Sequence, residues 1–324
     1  MKKAFPLTLF ALVSMVAGLR VISVYAGQVV PPETKQWASQ TVAQEKQLNT
    51  VTKPNSVAVL YFQNPSDQPE LAPLQKGLTI MLISDLAKLD VVTVIERTEL
   101  QALVEELGFG QSGLVDADSA PRVGRLLQAQ YLVGGVLNSD STRQLSIKGE
   151  LLDVAPGKSA GRLAAKGSTE QIFDLEKQLL GQIVTALKLE LTPDQKAALS
   201  KPMSRDREAL MDLFKAVDAG DHQQFDQAEQ LYSSALRRDP NLALAKDSLE
   251  ELKTFRVAQA QGIAGAKQEG ATPGEKSSEN LEQRARLLRS TRQNTSFTTD
   301  LKPATPVSRV PSPAAVEPRE TRSP

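Results

Sequence analysis

Apolar positions along this chain change their period several times, and each change marks an element. Ser56-Val-Ala-Val-Leu-Tyr-Phe62 is a continuous apolar run that stops at Gln63-Asn64-Pro65, the pattern of a strand buried on both faces. After a loop over 64–69, Leu71, Leu74, Leu78, Leu82, Leu86 and Leu89 recur at helical spacing. Met81 and Ile83 broaden the stripe, and Pro73 suits the first turn. Val91-Val-Thr-Val-Ile95 predicts a second strand, and the order strand, helix, strand makes a parallel right-handed crossover the default. Leu100, Leu103, Val104 and Leu107 predict the next helix. Thr98 with Gln101 fits a capping box at its start, and Gly108 ends it.

The second half of this body reads differently. Asp118-Ser119-Ala-Pro121 opens a helix that buries Val123, Leu126 and Leu127, and Tyr131-Leu-Val-Gly-Gly-Val-Leu137 is a strand. Leu145, Ile147, Gly149 and Leu151 alternate with polar residues, so that strand has one wet face. A turn at Ala155-Pro-Gly-Lys158 leads to a last strand over 162–168. Ile172, Leu175, Leu179, Ile183 and Leu187 then form a closing amphipathic helix. The fold class is α/β: a mixed sheet, parallel in its first half and antiparallel in its second, flanked by helices.

Beyond a linker over 191–204, the period is helical throughout. Leu210, Leu213, Phe214 and Val217 form one stripe, and Phe225, Ala228, Leu231, Tyr232, Ala235 and Leu236 the next. After Asp239-Pro240 a third begins at Leu242, Ala245, Leu249 and Leu252. Ala228, Tyr232, Ala235 and Pro240 resemble a single tetratricopeptide repeat over 205–255, interrupted at its inter-helix junction by His222-Gln-Gln224. One such unit cannot bury a core alone and must lean on a neighbour. From 256 to 324, Gln, Ser, Thr, Pro and mixed charges dominate, the composition of a disordered tail.

The amino terminus carries a targeting pattern. Met1-Lys2-Lys3 precedes a mostly apolar stretch, and Val24-Tyr25-Ala26 fits the small-residue site of a signal peptidase. The expectation is a signal peptide over 1–26 cut near Ala26, then a polar arm over 27–54. Trp37, the one tryptophan, is expected to pack that arm onto its own domain, with an anchor for a partner as the alternative. Such a mature chain is exported and has no integral membrane span.

Composition narrows the chemistry. Lys+Arg and Asp+Glu are both 38, so no net charge favours nucleic acid. Aromatics at 4% give no stacking surface for single strands. With no cysteine and one histidine, disulfides, thiolate sites and histidine triads are out of reach. No catalytic, cofactor or metal residue stands out, and no cofactor is expected. Gly108-Phe-Gly-Gln-Ser-Gly113 spells a phosphate-loop pattern but follows a helix, not a strand. Asp116 and Asp118 read as caps of the helix starting near Ser119. Glu105-Glu106 reads as a solvated face. Glu96-Arg97, at a strand's end, reads equally as a ligand position, a local ion pair or a subunit contact. His222 is given no role.

Val57-Ala-Val-Leu60, the helix over 78–89, Glu96-Arg97 with the helix that follows, and Gly124-Arg-Leu-Leu-Gln-Ala-Gln-Tyr-Leu-Val-Gly-Gly-Val136 resemble the CsgG/HfaB family over 55–190. The stretch is also similar to the amino-terminal domain of TolB and to the Lpo-type activators of cell-wall synthases. The resemblance implies a non-enzymatic module of the bacterial envelope that binds protein partners, with homo-oligomers possible in the family. Its best-known branch is an outer-membrane channel that exports curli subunits, and it is a lipoprotein. Here there is no cysteine to acylate, and the connections over 138–143 and 155–161 are short for membrane hairpins. The expectation is therefore a periplasmic assembly module. A channel component and an Lpo-like regulator are the alternatives.

Overall fold

The structure is a computed structural model and describes residues 28–48, 53–109, 115–116, 118–140 and 144–260. The segment assigned to a signal peptide, most of the glycine pattern after Gly108 and the tail beyond Ala260 lie outside the described residues. Five strands form one sheet in the order β2-β1-β3-β4-β5. They are β1 (Lys53–Val59), β2 (Thr93–Val94), β3 (Ala129–Ser139), β4 (Gln144–Asp153) and β5 (Lys158–Ser168). β1 pairs in parallel with β2 and β3, whereas β3–β4 and β4–β5 are antiparallel. The mixed sheet expected from the sequence is present, with the change of direction at β3.

Helices cover both faces, as the apolar runs of β1 and β3 require. On one face, α2 (Ala72–Leu86) and α5 (Ile172–Ala186) pack on Val57, Val59, Val133, Leu137, Ile147 and Leu163. On the other, α1 (Pro32–Ala43), α3 (Arg97–Glu106) and α4 (Ala120–Leu126) meet Ala58, Leu60 and Leu132, and Trp37 packs there as expected. The helices α6 (Pro193–Leu199), α7 (Arg207–Asp221), α8 (Phe225–Arg238) and α9 (Ala243–Ala260) follow. Their apolar stripes join the first cluster, so the helical region leans on the α/β body. At the contact Gly77 is required. A Cβ there would lie 2.2 Å from the Phe214 ring of α7.

Several boundaries differ from the sequence reading. β1 starts at Lys53, inside the expected polar arm, and ends at Val59, though Leu60 N still bonds to Val133 O at 2.8 Å and Gln63 makes a further parallel bridge with Val136. Phe62 stays fully buried, but its amide turns to Gln75 O at 3.1 Å, pulling the chain toward α2. β2 shrinks to two residues, with Val91 exposed. The capping box at Thr98 and Gln101 does not form. α3 begins at Arg97 with Glu96 as its N-cap and no side-chain cap, which places Thr98 inside the first turn. Gln101 instead donates to Glu105 Oε1 at 2.7 Å. The linker over 191–204 contains α6, started by a capping box of Thr192 and Gln195. α9 runs through Ala260, so the first residues assigned to the tail are helical. Arg256 explains the extension, donating to Glu229 at 2.8 Å and Asp226 at 2.7 Å.

β3, β4 and β5 reach 11, 10 and 11 residues, longer than their apolar patterns suggest. The β4–β5 connection is correspondingly tight. Lys148, Glu150, Arg162 and Lys166 are among the polar members of the face away from α2 and α5. At the sheet's edge, the Gln182 side chain of α5 accepts from Ala164 N and donates to Ala164 O, both at 2.8 Å.

Candidate functional site

Two charges in this chain sit at unfavourable ends of their helices. Arg97 is the first residue of α3 and Asp221 the last of α7. A cation opposes the positive end of a helix dipole, and an anion opposes the negative end. The fold resolves both by bringing the two ends together. Arg97 Nη1 lies 2.9 Å from Asp221 Oδ2 and Nη2 lies 3.1 Å from Oδ1, a two-pronged pair. The side chains are 1% and 0% exposed. Lys76, from the apolar helix α2, adds a second cation at 2.7 Å from Asp221 Oδ2 and reaches Asp218 at 2.8 Å. Two cations therefore face two carboxylates, and the cluster is neutral.

Further groups complete it. Arg97 Nη1 also donates to the Tyr61 hydroxyl at 2.8 Å, just past β1. The Lys76 ammonium lies 5.5 Å from the Tyr61 ring centroid, within cation–π range. Gln28 O accepts from Arg97 Nη2 at 2.8 Å, and Gln28 N donates to Glu251 Oε2 of α9 at 3.1 Å. Burial works against the Arg97 charge, but Asp221 and then Tyr61 more than offset it and hold the guanidinium above its ordinary range. Burial, opposed by Arg97, pushes the Tyr61 hydroxyl above its usual range, and Tyr232 of α8 responds in the same way. With Arg97 and Asp221 each bonded to several partners, the arrangement acts as a clamp. It ties the amino-terminal strap, the α/β body and α7–α9 together. Beside it opens a cleft of about 150 Å³, with Lys35 and Glu105 on one side and Phe225 and Phe255 on the other. The two phenylalanines meet edge to face, their centroids 5.4 Å apart.

A second buried cluster joins α2 to α5. Asp85 accepts from Lys88 at 2.5 Å and from Lys177. Glu176, 2% exposed, lies 3.2 Å from Lys177, and its Oε1 has no hydrogen-bond partner among the described residues. Burial first, then the Asp85 charge, pushes the Glu176 carboxyl up to about 8, with Lys177 opposing.

Of the positions singled out in the sequence, only Arg97 enters the clamp, as an ion pair. Glu105 is not a free solvated group, since it pairs with Lys35 of α1 at 3.3 Å, while Glu106 is exposed. Asp116 Oδ1 accepts from Ser119 N at 2.7 Å, holding the start of α4, and that bond keeps its carboxyl below the usual range. Asp118 is exposed. Gly108 closes α3 with φ +83°. His222 follows α7, its Nδ1 2.8 Å from Asp218 O. Sequence reasoning missed Asp221, Lys76, Tyr61 and Gln28. The available signals were an aspartate ending a helix with no basic residue in its last turn and a lysine inside a helix apolar on nearly every side.

The chain is similar over 226 residues, at 27% identity, to a Rhizobium meliloti (strain 1021) protein named "Putative adenylate cyclase 3". The alignment takes in 67% of this chain and 36% of that relative, so the chain spans well under half of it. Among solved structures, the LpoB C-terminal domain from Salmonella enterica aligns with TM-score 0.30 and 16% identity, over 42% of this chain and 99% of that one. Lipoprotein GNA1162 from Neisseria meningitidis aligns with TM-score 0.29 and 18% identity, over 43% of this chain and 100% of that one. Residues 36–144, from within α1 through β3, match the family model described as "Curli production assembly/transport component CsgG".

Proposed function

We propose that this chain is a non-enzymatic, exported module of the cell envelope that holds protein partners during assembly or secretion. In this reading residues 1–26 direct export and are removed, a CsgG-type α/β body follows, and α7–α9 form a tetratricopeptide-like unit that presents a binding surface. The observation that carries it is the Arg97–Asp221–Lys76 clamp. It fixes the helical unit to a body whose first part matches the CsgG model, and a rigidly mounted helical hairpin suits recognition of a protein. The polar outer residues Lys148, Glu150, Arg162 and Lys166 and the tight β4–β5 turn support an assembly role over a channel wall, whose outward residues would be apolar. The relative named as a cyclase is matched over only 36% of its own length, so its name carries no activity to this chain.

Cross-linking in intact cells, followed by fractionation and mass spectrometry, tests the proposal. The expected result is a periplasmic or outer-membrane-associated chain joined to envelope proteins through α8 and α9. Recovery of the chain in the cytoplasm overturns it.

A further inference from the structure

The strap over 28–31 is held the way a bound peptide is held. The Gln28 carbonyl accepts from Arg97 of α3 at 2.8 Å and the Gln28 amide donates to Glu251 of α9 at 3.1 Å, so the grip is on main-chain atoms. A Cβ at Gly220 of α7 would lie 3.8 Å from the same carbonyl, so the strap also rests on α7. Gln28 and Val29 are 0% and 5% exposed. Pro31, at φ −76° and ψ 157°, keeps the chain extended up to the start of α1. Main-chain bonds combined with seats for side chains are how proteins take up extended segments.

This occupant is too small for its seat. Val29 and Val30 form one wall of the cleft of about 150 Å³, and Phe225 and Phe255 stand on the other. Two valines leave that space open, and walls facing a gap lose the contacts of close packing. The occupant is also removable. Without the strap carbonyl, Arg97 Nη2 keeps Asp221 Oδ1 at 3.1 Å, and Nη1 keeps Tyr61 at 2.8 Å and Asp221 Oδ2 at 2.9 Å. The clamp stays closed. Glu251 is partly open to water, which can solvate its carboxylate once the strap has left.

We propose that the seat between α3, α7 and α9 is a receptor for an extended segment of a partner protein, held shut by the strap as a built-in stand-in. The partner segment carries leucine or phenylalanine where the strap has Val30 and fills the space that valine leaves. This rests on the protein-holding reading above and names the chemistry by which such a partner is recognised. The strap is a tethered competitor with an effective concentration on the order of millimolar, so it sets the threshold that a partner must exceed.

Labelled peptides test it: Gln28-Val-Val-Pro-Pro-Glu33 and its Val30→Phe form. Each is titrated by fluorescence anisotropy into the purified full chain and into its Val29→Asp variant, which evicts the strap without shortening it. The Val30→Phe peptide is expected to bind at least about threefold tighter than its parent. Both are expected to bind Val29→Asp at least about tenfold tighter than the unaltered chain. Amide exchange on the unaltered chain gives a measure independent of whether the variant folds. The Gln28 amide is expected to exchange at least about tenfold faster than the buried amides of α7. Exchange of Gln28 in step with α7, or equal binding of both peptides to both chains, overturns the receptor. A dimer in sedimentation that Val29→Asp dissolves makes the occupant a second copy's strap and overturns the partner segment. These measurements use purified chain, so their failure leaves the envelope reading standing, whereas recovery of the chain in the cytoplasm removes that reading and not the receptor.

Discussion

Two buried charge clusters among the described residues both pair lysine with aspartate, yet solve opposite problems. At the clamp, Arg97 and Lys76 face Asp221 and Asp218, and Asp221 is bonded on both oxygens. Between α2 and α5, two carboxylates, Asp85 and Glu176, share the nearby lysines Lys177 and Lys88, and one oxygen of Glu176 is left unbonded among the described residues. In the first cluster the charges of the two cations and the two carboxylates balance. The second carries a carboxyl group that the fold prefers to keep protonated. Burial alone thus says little about what a charge contributes. The count of partners decides whether it fastens the fold or makes it sensitive to its surroundings.

The comparison breaks most sharply at Asp221. Asp221→Ala leaves Arg97 and Lys76 buried without their shared anion and is expected to destabilise the protein by about 3–5 kcal/mol. Urea unfolding measures the loss, and a cost under 1 kcal/mol would show that the cluster does not fasten the helical region. At the other cluster the sign reverses. The folded pKa of Glu176 lies above its unfolded value of 4.5. Its protonated form therefore contributes stability that is complete below pH 4.5 and is lost as pH rises through about 8. Glu176→Gln should flatten that slope, with a relative gain on the order of 3–4 kcal/mol at pH 8 over pH 5. Unfolding curves at the two pH values check it, and parallel wild-type and variant profiles would contradict it. The smallest effect sharpens the contrast within the clamp. Lys76→Met removes one cation but leaves Asp221 paired to Arg97, so a loss of only about 1–2 kcal/mol is expected. A loss matching that of Asp221→Ala would mean that Lys76, not Arg97, is the main partner.

The sequence discloses the fold wherever burial is periodic. Leu71, Leu74, Leu78, Leu82, Leu86 and Leu89 are all buried, as their spacing requires, and so are Leu145, Ile147 and Leu151 on the inner face of β4. The clamp is hidden because its members are far apart along the chain. Arg97 and Asp221 are separated by 124 positions, and Lys76 and Asp221 by 145. No local pattern joins such residues. What was legible is the oddity of each one alone: a cation opening α3, an anion closing α7, and a lysine in a mostly apolar helix. Each is costly by itself and sensible only with the others. The strap residue Gln28 gives no signal at all, because it is the backbone that bonds to Arg97 and Glu251.

Gln182 bears on how copies of this chain can meet. Its amide occupies the outward N–H and C=O of Ala164 at 2.8 Å, the very groups an incoming strand would use. β5 is the outermost strand on that side and long enough to template a neighbour, yet its midpoint is already occupied from within the molecule. A ring or fibre propagated by stitching sheet to sheet along β5 would first have to evict that side chain. An array that leaves Gln182 in place cannot pair an incoming strand across Ala164.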